Sequence, residues 1–301
     1  MKLFSTSEWK TFFSELYNKA FDTDIFNYAA QVAFYFSFAF FPLLLALVST
    51  IGLVLESAEG LKQELYVYLS QIMPSSAYDL VHKTLDEIVE TSSGGKLTLG
   101  LLITIWSASA GVDSLRSALN AVYELKEARS WWNVKLQSLV MTLLFIVLIA
   151  IALAGVTAGW RLVQLSLGSL GLEVSSPLFL VSIQWGALLI VMLFATAVIY
   201  SWLPNFKKFK WVWISPGAVT AILLWIAFSS GFRLYLHYFN TYNKAYGSLG
   251  AVIILMLWMY LTATAILIGG AINSVLTEMS EAEHDEHESS GVGEEPEINN
   301  R

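Results

Sequence analysis

One pair of charged residues stands out among the side chains that could do chemistry. Asp113 and Arg116 lie three positions apart in a stretch whose other residues are mostly apolar or small. If this stretch is a helix, both side chains lie on one face and can form an ion pair. Charges at membrane depth are costly and often belong to a substrate or ion path, whereas a pair near a helix end can also be purely structural. We keep both roles open for this pair.

Other polar side chains extend this candidate site towards both ends of the neighbouring helices. Positive side chains beyond the apolar stretches could attract an anionic group, although a single arginine there more simply reaches the lipid headgroups. Hydroxyl, amide and phenol groups inside the stretches could line a path or join two helices by hydrogen bonds. Besides Asp113 and Arg116, the candidates for a substrate path are Asn120, Arg161, Arg233, Lys244, Tyr246, Gln31, Tyr35, Ser107, Ser109 and Asn273.

Sites of other kinds lack the residues that they need. The chain has no cysteine, and two of its four histidines, His284 and His287, lie in an acidic segment. It contains no HExxH motif, no phosphate-binding GxxxxGK[ST] loop and no GxSxG motif. We therefore expect no enzyme activity, no metal and no cofactor. Nucleic acid is not expected as a partner, because the chain has no basic patch.

The composition indicates which environment these residues occupy. Apolar residues make up 56% of the 301 positions and charged residues only 14%, whereas soluble domains carry about 25% charged residues. The net charge of −7 comes from residues 278–301, which carry −8, so the remaining chain is close to neutral at +1. Such a composition is typical of a chain that crosses a membrane several times.

Six stretches are predicted to cross the membrane as helices, so the fold class is an all-α polytopic membrane protein. The second stretch, 97–112, has only 16 residues and must include Asp113 to reach the roughly 20 residues that a crossing requires. The other five stretches are long enough without any charge, and they are residues 29–55, 136–160, 178–203, 211–232 and 245–277.

Lysine and arginine in the connections predict the orientation. They are concentrated in residues 1–28 and in the second and fourth connections, which the positive-inside rule places in the cytoplasm together with both termini. Within this frame, residues 1–28 form a cytoplasmic interfacial helix, 29–277 the membrane domain and 278–301 a disordered acidic tail. An insertion at 56–96 lies outside the cytoplasm.

Amphipathic patterns are present in two of these regions. Apolar residues recur at helical spacing from Trp9 to Phe21, with lysines beside them, which indicates a helix lying in the membrane interface. The insertion contains two further amphipathic helices, near 61–73 and 77–89. They could cover the mouth of a cavity or form a soluble cap without a role in transport.

Four stretches resemble the YihY/BrkB virulence factor family of bacterial inner-membrane proteins, formerly misnamed ribonuclease BN. They are AAQVAFYFSFAFFPLL at 29–44, WSASAGVDSLRSALNAVY at 106–123, YSWLPNFK at 200–207 and YGSLGAVIILMLWMYLTATAILIGGAIN at 246–273. The resemblance implies six membrane-spanning helices, location in the inner membrane and no ribonuclease activity. Many members have Gly-Ala-Glu-x-Asn near the end of the last span, but here Ala271 takes the place of the glutamate and only Asn273 is retained.

The resemblance also links the family to transport of lipids or lipopolysaccharide precursors. Together with the charges along a possible path, it favours a transporter or flippase-like exporter of an amphiphilic anionic lipid. The alternatives are a membrane scaffold that recruits partners and a channel for small ions or solutes. Membrane lipids are the expected partners, with a second copy of the chain or an envelope protein as further candidates.

Overall fold

The computed structural model is helical over most of the chain that it describes. These residues are 6–54, 95–168, 177–207, 211–238 and 248–291, with isolated positions between 63 and 83, and side chains are described for most of them. No strand occurs in these ranges, which confirms the all-α class. The helices are α1 Thr6–Asp22, α2 Ile25–Val54, α3 Gly95–Val122, α4 Trp131–Gly168, α5 Pro177–Trp202, α6 Pro216–Tyr238 and α7 Ser248–Gly291.

Helices α2 to α7 take the places of the six predicted spans. Helices α2 and α3 have 30 and 28 residues, so they extend about 45 and 42 Å at 1.5 Å per residue. The described part of α2 includes a shorter apolar helix, Ile25–Phe40. By length and composition, four segments of the other helices are able to cross a membrane: Trp131–Leu153, Ser182–Trp202, Pro216–Tyr238 and Gly250–Ala282.

Two elements differ from the sequence prediction in ways that the residues explain. The fifth span was expected from residue 211, but its helix begins at Pro216. Ser215 caps that helix, because its Oγ accepts the Ala218 N–H at 3.0 Å, and proline suits the first helical position, which needs no N–H partner. The expected disordered tail is helical up to Gly291, since its glutamate and alanine residues favour continuation of α7.

The connections at one end of the bundle lie close together. Their described parts are residues 23–24, 123–130, and 203–207 with 211–215, and hydrogen bonds join the second of them to the third. We call this end the polar end; the sequence predicts that it is cytoplasmic. The apolar core reaches up to it through Leu115, Leu119 and Leu203.

Helices α6 and α7 cross in very close contact at the polar end. A Cβ atom on Gly217 would collide with the carbonyl oxygen of Gly269, and one on Gly269 would collide with the carbonyl oxygen of Gly217. The buried Tyr200 hydroxyl of α5 donates to the carbonyl oxygen of Ile266 at 2.7 Å. Glycine is therefore required at both positions, and α5 is bonded to the same part of α7.

Helix α1 packs against α7 with one edge of its apolar stripe. Phe12 is buried with Ile272 and Val275. The Lys19 ammonium is buried and pairs with Glu278 and, at 3.1 Å, with Glu124. Burial lowers the pKa of Lys19, but these hydrogen bonds and charges outweigh it and leave the pKa above its ordinary value. The other edge of α1 is exposed, as an interfacial helix requires, and consists of Trp9, Phe13, Tyr17 and Phe21.

The described positions of the 56–96 insertion are helical and contact the membrane helices. Tyr66 is only 8% exposed and joins a cluster with Phe232 of α6 and Leu255 of α7. The ring centroids of Tyr66 and His82 are 4.1 Å apart. The insertion is thus packed on the bundle through these residues.

Candidate functional site

The candidate site is built on the turn that ends α3. Glu124 adopts a left-handed conformation, with φ 54°. The Leu125 N–H donates to the Asn120 carbonyl at 2.7 Å, and the Glu124 N–H donates to the Ala121 carbonyl at 3.0 Å. This is a Schellman motif with glutamate at the position usually taken by glycine. It turns the chain back, so that residues 125–130 contact the end of α3.

The turn brings Glu127 against the ion pair predicted in α3. Arg116 donates from Nε and Nη2 to Asp113 Oδ1, at 3.0 and 2.8 Å, and from Nη1 to Glu127 Oε2. The Arg116 side chain is only 11% exposed. A guanidinium so far from water requires partners of opposite charge, and these two carboxylates provide them.

Glu127 also holds a second arginine. Arg129 donates from Nε and Nη2 to the two oxygens of Glu127, at 2.7 and 2.8 Å. The hydrogen bonds of Arg129 lower the pKa of Glu127 to about 2, against partial burial, and the charge of Arg116 adds to this effect. The side chains of Asp113, Arg116, Glu127 and Arg129 therefore form one network of two acidic and two basic groups.

Asn120 joins this network to the connection between α5 and α6. Its Nδ2 donates to Glu127 Oε2 at 3.1 Å, and its Oδ1 accepts the Asn205 N–H at 2.8 Å. The Asn205 side chain donates in turn to the Lys126 carbonyl at 2.9 Å. These contacts join α3 and the two connections, so Asn120 serves at least as a structural tie.

Asp113 is the member of the network that faces outward. Its side chain is 41% exposed. Arg116 and, at 3.5 Å, Ser138 donate to Oδ1, while Oδ2 accepts no hydrogen bond from the part of the chain that the structure describes. Ala110, Ser117 and Ala121 follow the same face of α3 and are exposed or half-buried. From Ala110 to Ala121 the outward face of α3 thus consists of small residues around a carboxylate, and the exposed Trp106 lies one turn before them.

Ser107 and Ser109 lie near this face but differ in exposure. Ser107 is exposed, whereas Ser109 is fully buried and accepts a hydrogen bond from Lys135 Nζ at 2.6 Å. The Lys135 ammonium also lies 4.2 Å from the centre of a Trp106 ring. A second cation is therefore positioned between α3 and α4, beside Asp113.

The remaining candidates that the structure describes are not gathered around the network. Asn273 binds the start of α6, accepting the Gly217 N–H and donating to Ser215 Oγ, both at 2.9 Å. Gln31 and Tyr35 are exposed on α2, and Arg233 is exposed on α6, about 25 Å along that helix from its first residue. Lys244, Tyr246 and the side chain of Arg161 lie outside the described residues.

Neither Glu127 nor the contact of Arg129 with it is predicted from the sequence, where the bases of the second connection indicate only the orientation. The sequence does contain a signal for this contact. Glu127 lies between Lys126 and Arg129, in a short connection after the span that contains Asp113 and Arg116. In the ranges that carry described side chains, no three His, Asp or Glu residues are grouped so that they could hold a metal ion.

Comparison of the sequence with known proteins identifies several relatives. "Putative ribonuclease-like protein YfkH" of Bacillus subtilis is 32% identical over 251 residues, which cover 82% of this chain and 88% of that protein. A "UPF0761 membrane protein" of Vibrio atlanticus is 28% identical over 256 residues, covering 84% and 78%. Another, from Idiomarina loihiensis, is 26% identical over 238 residues, covering 74% of each chain.

No solved structure matches the chain. Ala271 is fully buried in the core. The sequence model described as "Virulence factor BrkB" matches residues 16–293. This chain is therefore a membrane protein of the BrkB virulence factor family.

Proposed function

We propose that this protein transports an amphiphilic lipid with an anionic headgroup across or out of the bacterial inner membrane. The observation that supports it is the outward face of α3, where Asp113 is half-exposed among small residues, although α3 is long enough to cross the membrane. Such a face is poorly suited to acyl chains. It suits a headgroup that moves along the protein while its acyl chains stay in the bilayer.

The charges beside this face fit an anionic headgroup. Lys135 lies beside Asp113 and has no carboxylate within ion-pair distance among the described residues. The sequence has no nucleotide-binding loop, so transport would be downhill, partner-driven or coupled to an ion. If transport is coupled to protons, Asp113 is the proposed proton carrier.

Reconstitution in vesicles tests the function. Purified protein is incorporated with a fluorescent anionic phospholipid, and its movement between leaflets is followed with an external quencher. We expect faster movement than in protein-free vesicles, a loss of about tenfold in Ser117→Leu, and no loss in the control Val147→Leu on α4. A wild-type rate equal to that of protein-free vesicles would refute the proposal.

A partner-recruiting scaffold is the second candidate. The helical continuation of α7 up to Gly291 favours it, because it provides an acidic helix beyond the membrane segment. Deleting residues 279–301, which keeps the Glu278 contact with Lys19, separates the two functions. A scaffold loses its cellular phenotype in this deletion, whereas a transporter keeps its rate in vesicles.

A further inference from the structure

A cleft between α4 and α5 opens at the polar end, on the far side of α4 from Asp113. Its volume is about 490 Å³, and residues of both helices and of the 203–206 turn line it. Arg129, Asn133, Gln137 and Asn205 form its polar part. The cleft was not predicted, because its two walls are far apart in the sequence.

Arg129 is held in a fixed orientation at this cleft. Two of its nitrogens bind Glu127, while Nη1 donates to Gln137 and Nη2 also lies 3.4 Å from the Leu203 carbonyl. A guanidinium has five N–H donors, so these four contacts leave one Nη1 hydrogen. Asn133 is exposed, and its amide makes no hydrogen bond within the described ranges.

The charge around the mouth of the cleft is positive. The Lys126 carbonyl accepts a hydrogen bond from Asn205, and Lys207 follows the lining residue Phe206; both lysine side chains are exposed. With Arg129 they give three cations, against the carboxylates of Glu127 and of Glu124, the second of which pairs with Lys19. An anion at the mouth therefore meets complementary charge.

The other part of the cleft is apolar and faces outward. Leu136 and Val140 line it and are 62% and 43% exposed, within a segment that is apolar enough to cross the membrane. From Asn133 to Val140 the helix rises about 10 Å, comparable to the distance from a phospholipid headgroup to its upper acyl chain. The cleft thus joins a cationic, amide-lined end to a surface suited to lipid.

We infer that this cleft binds an anionic phospholipid from the adjacent leaflet. The phosphate contacts Arg129 and Asn133, and one acyl chain lies along Leu136 and Val140. This inference rests on the proposed function, since it identifies a site that holds the lipid substrate. The binding itself is measured separately from transport.

Photo-crosslinking tests the site. The full-length protein is purified in nanodiscs and exposed to phosphatidylglycerol carrying a diazirine near its glycerol backbone, and the labelled peptides are mapped by mass spectrometry. We expect labelling within residues 133–140 and 202–206. Because binding is weakened, labelling should be at least about tenfold lower in Asn133→Asp and in Val140→Trp. The matched controls are Asn27→Asp on α2 and Leu143→Trp on α4, both exposed positions outside the cleft lining.

The labelling results decide whether the cleft binds the lipid. Unchanged labelling in both cleft variants would overturn it, as would equal labelling by a phosphatidylcholine probe or displacement by soluble glycerol phosphate. Monodisperse size-exclusion profiles identify which variants are folded. If the cleft variants lose labelling while even the wild type moves no lipid in vesicles, the cleft is a lipid site and only the transport function fails.

Discussion

The outward faces of two neighbouring helices, α3 and α4, have opposite chemistry. On α4 the exposed residues at helical spacing are Leu136, Val140, Leu143, Val147 and Ile151, as expected for contact with acyl chains. On α3 they are small or polar from Ala110 to Ala121, with Asp113 among them, and only the preceding turn carries a large exposed side chain, Trp106, among the described residues. The two helices pack against each other, but their outward faces need different surroundings. The α3 face requires contact with water, a lipid headgroup or protein.

The largest effect is expected when the support of the α3 face is removed. In Arg116→Leu, the carboxylates of Asp113 and Glu127 lose their shared guanidinium. Breaking a buried pair in this way costs about 3–5 kcal/mol, so we expect a strong loss of folded protein in detergent. Thermal unfolding followed by size exclusion measures it, with the exposed Arg233→Leu as control. A melting temperature like that of the control would mean that Arg116 does not support the face.

Placing an acid on each face tests the contrast directly. Val147→Asp puts a carboxylate on the lipid-facing side of α4, at a cost of about 2.5–3.5 kcal/mol. Ser117→Asp should cost only the repulsion from Asp113, about 0.5 kcal/mol. The yield of membrane-inserted, folded protein should therefore fall for Val147→Asp and change little for Ser117→Asp. Equal yields would show that the two faces have one environment.

Cysteine labelling sharpens the comparison with a smaller perturbation. The chain has no cysteine of its own, so Ser117→Cys and Val147→Cys each introduce a single thiol. The thiolate is the reactive form and needs hydration. We expect a water-soluble maleimide to label position 117 at least about tenfold faster than position 147 in membranes. Similar slow rates at both would indicate that lipid or a partner covers α3.

The smallest effect concerns the pH dependence of the network below the α3 face. The pKa of Glu127, about 2 in the folded protein, lies below the value of about 4.3 for an unfolded chain. Its stabilising contribution is therefore complete above pH 4.3 and disappears as the pH falls towards 2. The difference in melting temperature between wild type and Glu127→Gln should be constant from pH 5 to 7 and shrink below 4.3. A constant difference down to pH 3 would contradict this assignment.

The sequence predicted most of the helices because apolar length is a local property. It also predicted the pairing of Asp113 with Arg116, which depends only on helical spacing. It could not predict that Glu127 joins them, because this depends on the left-handed turn at Glu124, nor the cleft, whose walls come from α4 and α5. The substrate-path roles of Asp113, Arg116 and the other candidates stay predictions.

The reciprocal glycine contact between α6 and α7 limits how this protein can change shape. Two backbones that touch without intervening side chains cannot rotate past each other without steric overlap, and Tyr200 bonds α5 to the same place. The end of α5, the start of α6 and the middle of α7 therefore form a rigid unit at the polar end. We expect any cycle of opening and closing to use weaker contacts, such as the hydrogen bonds of Lys135 with Ser109 and of Ser138 with Asp113 between α3 and α4, which can exchange partners.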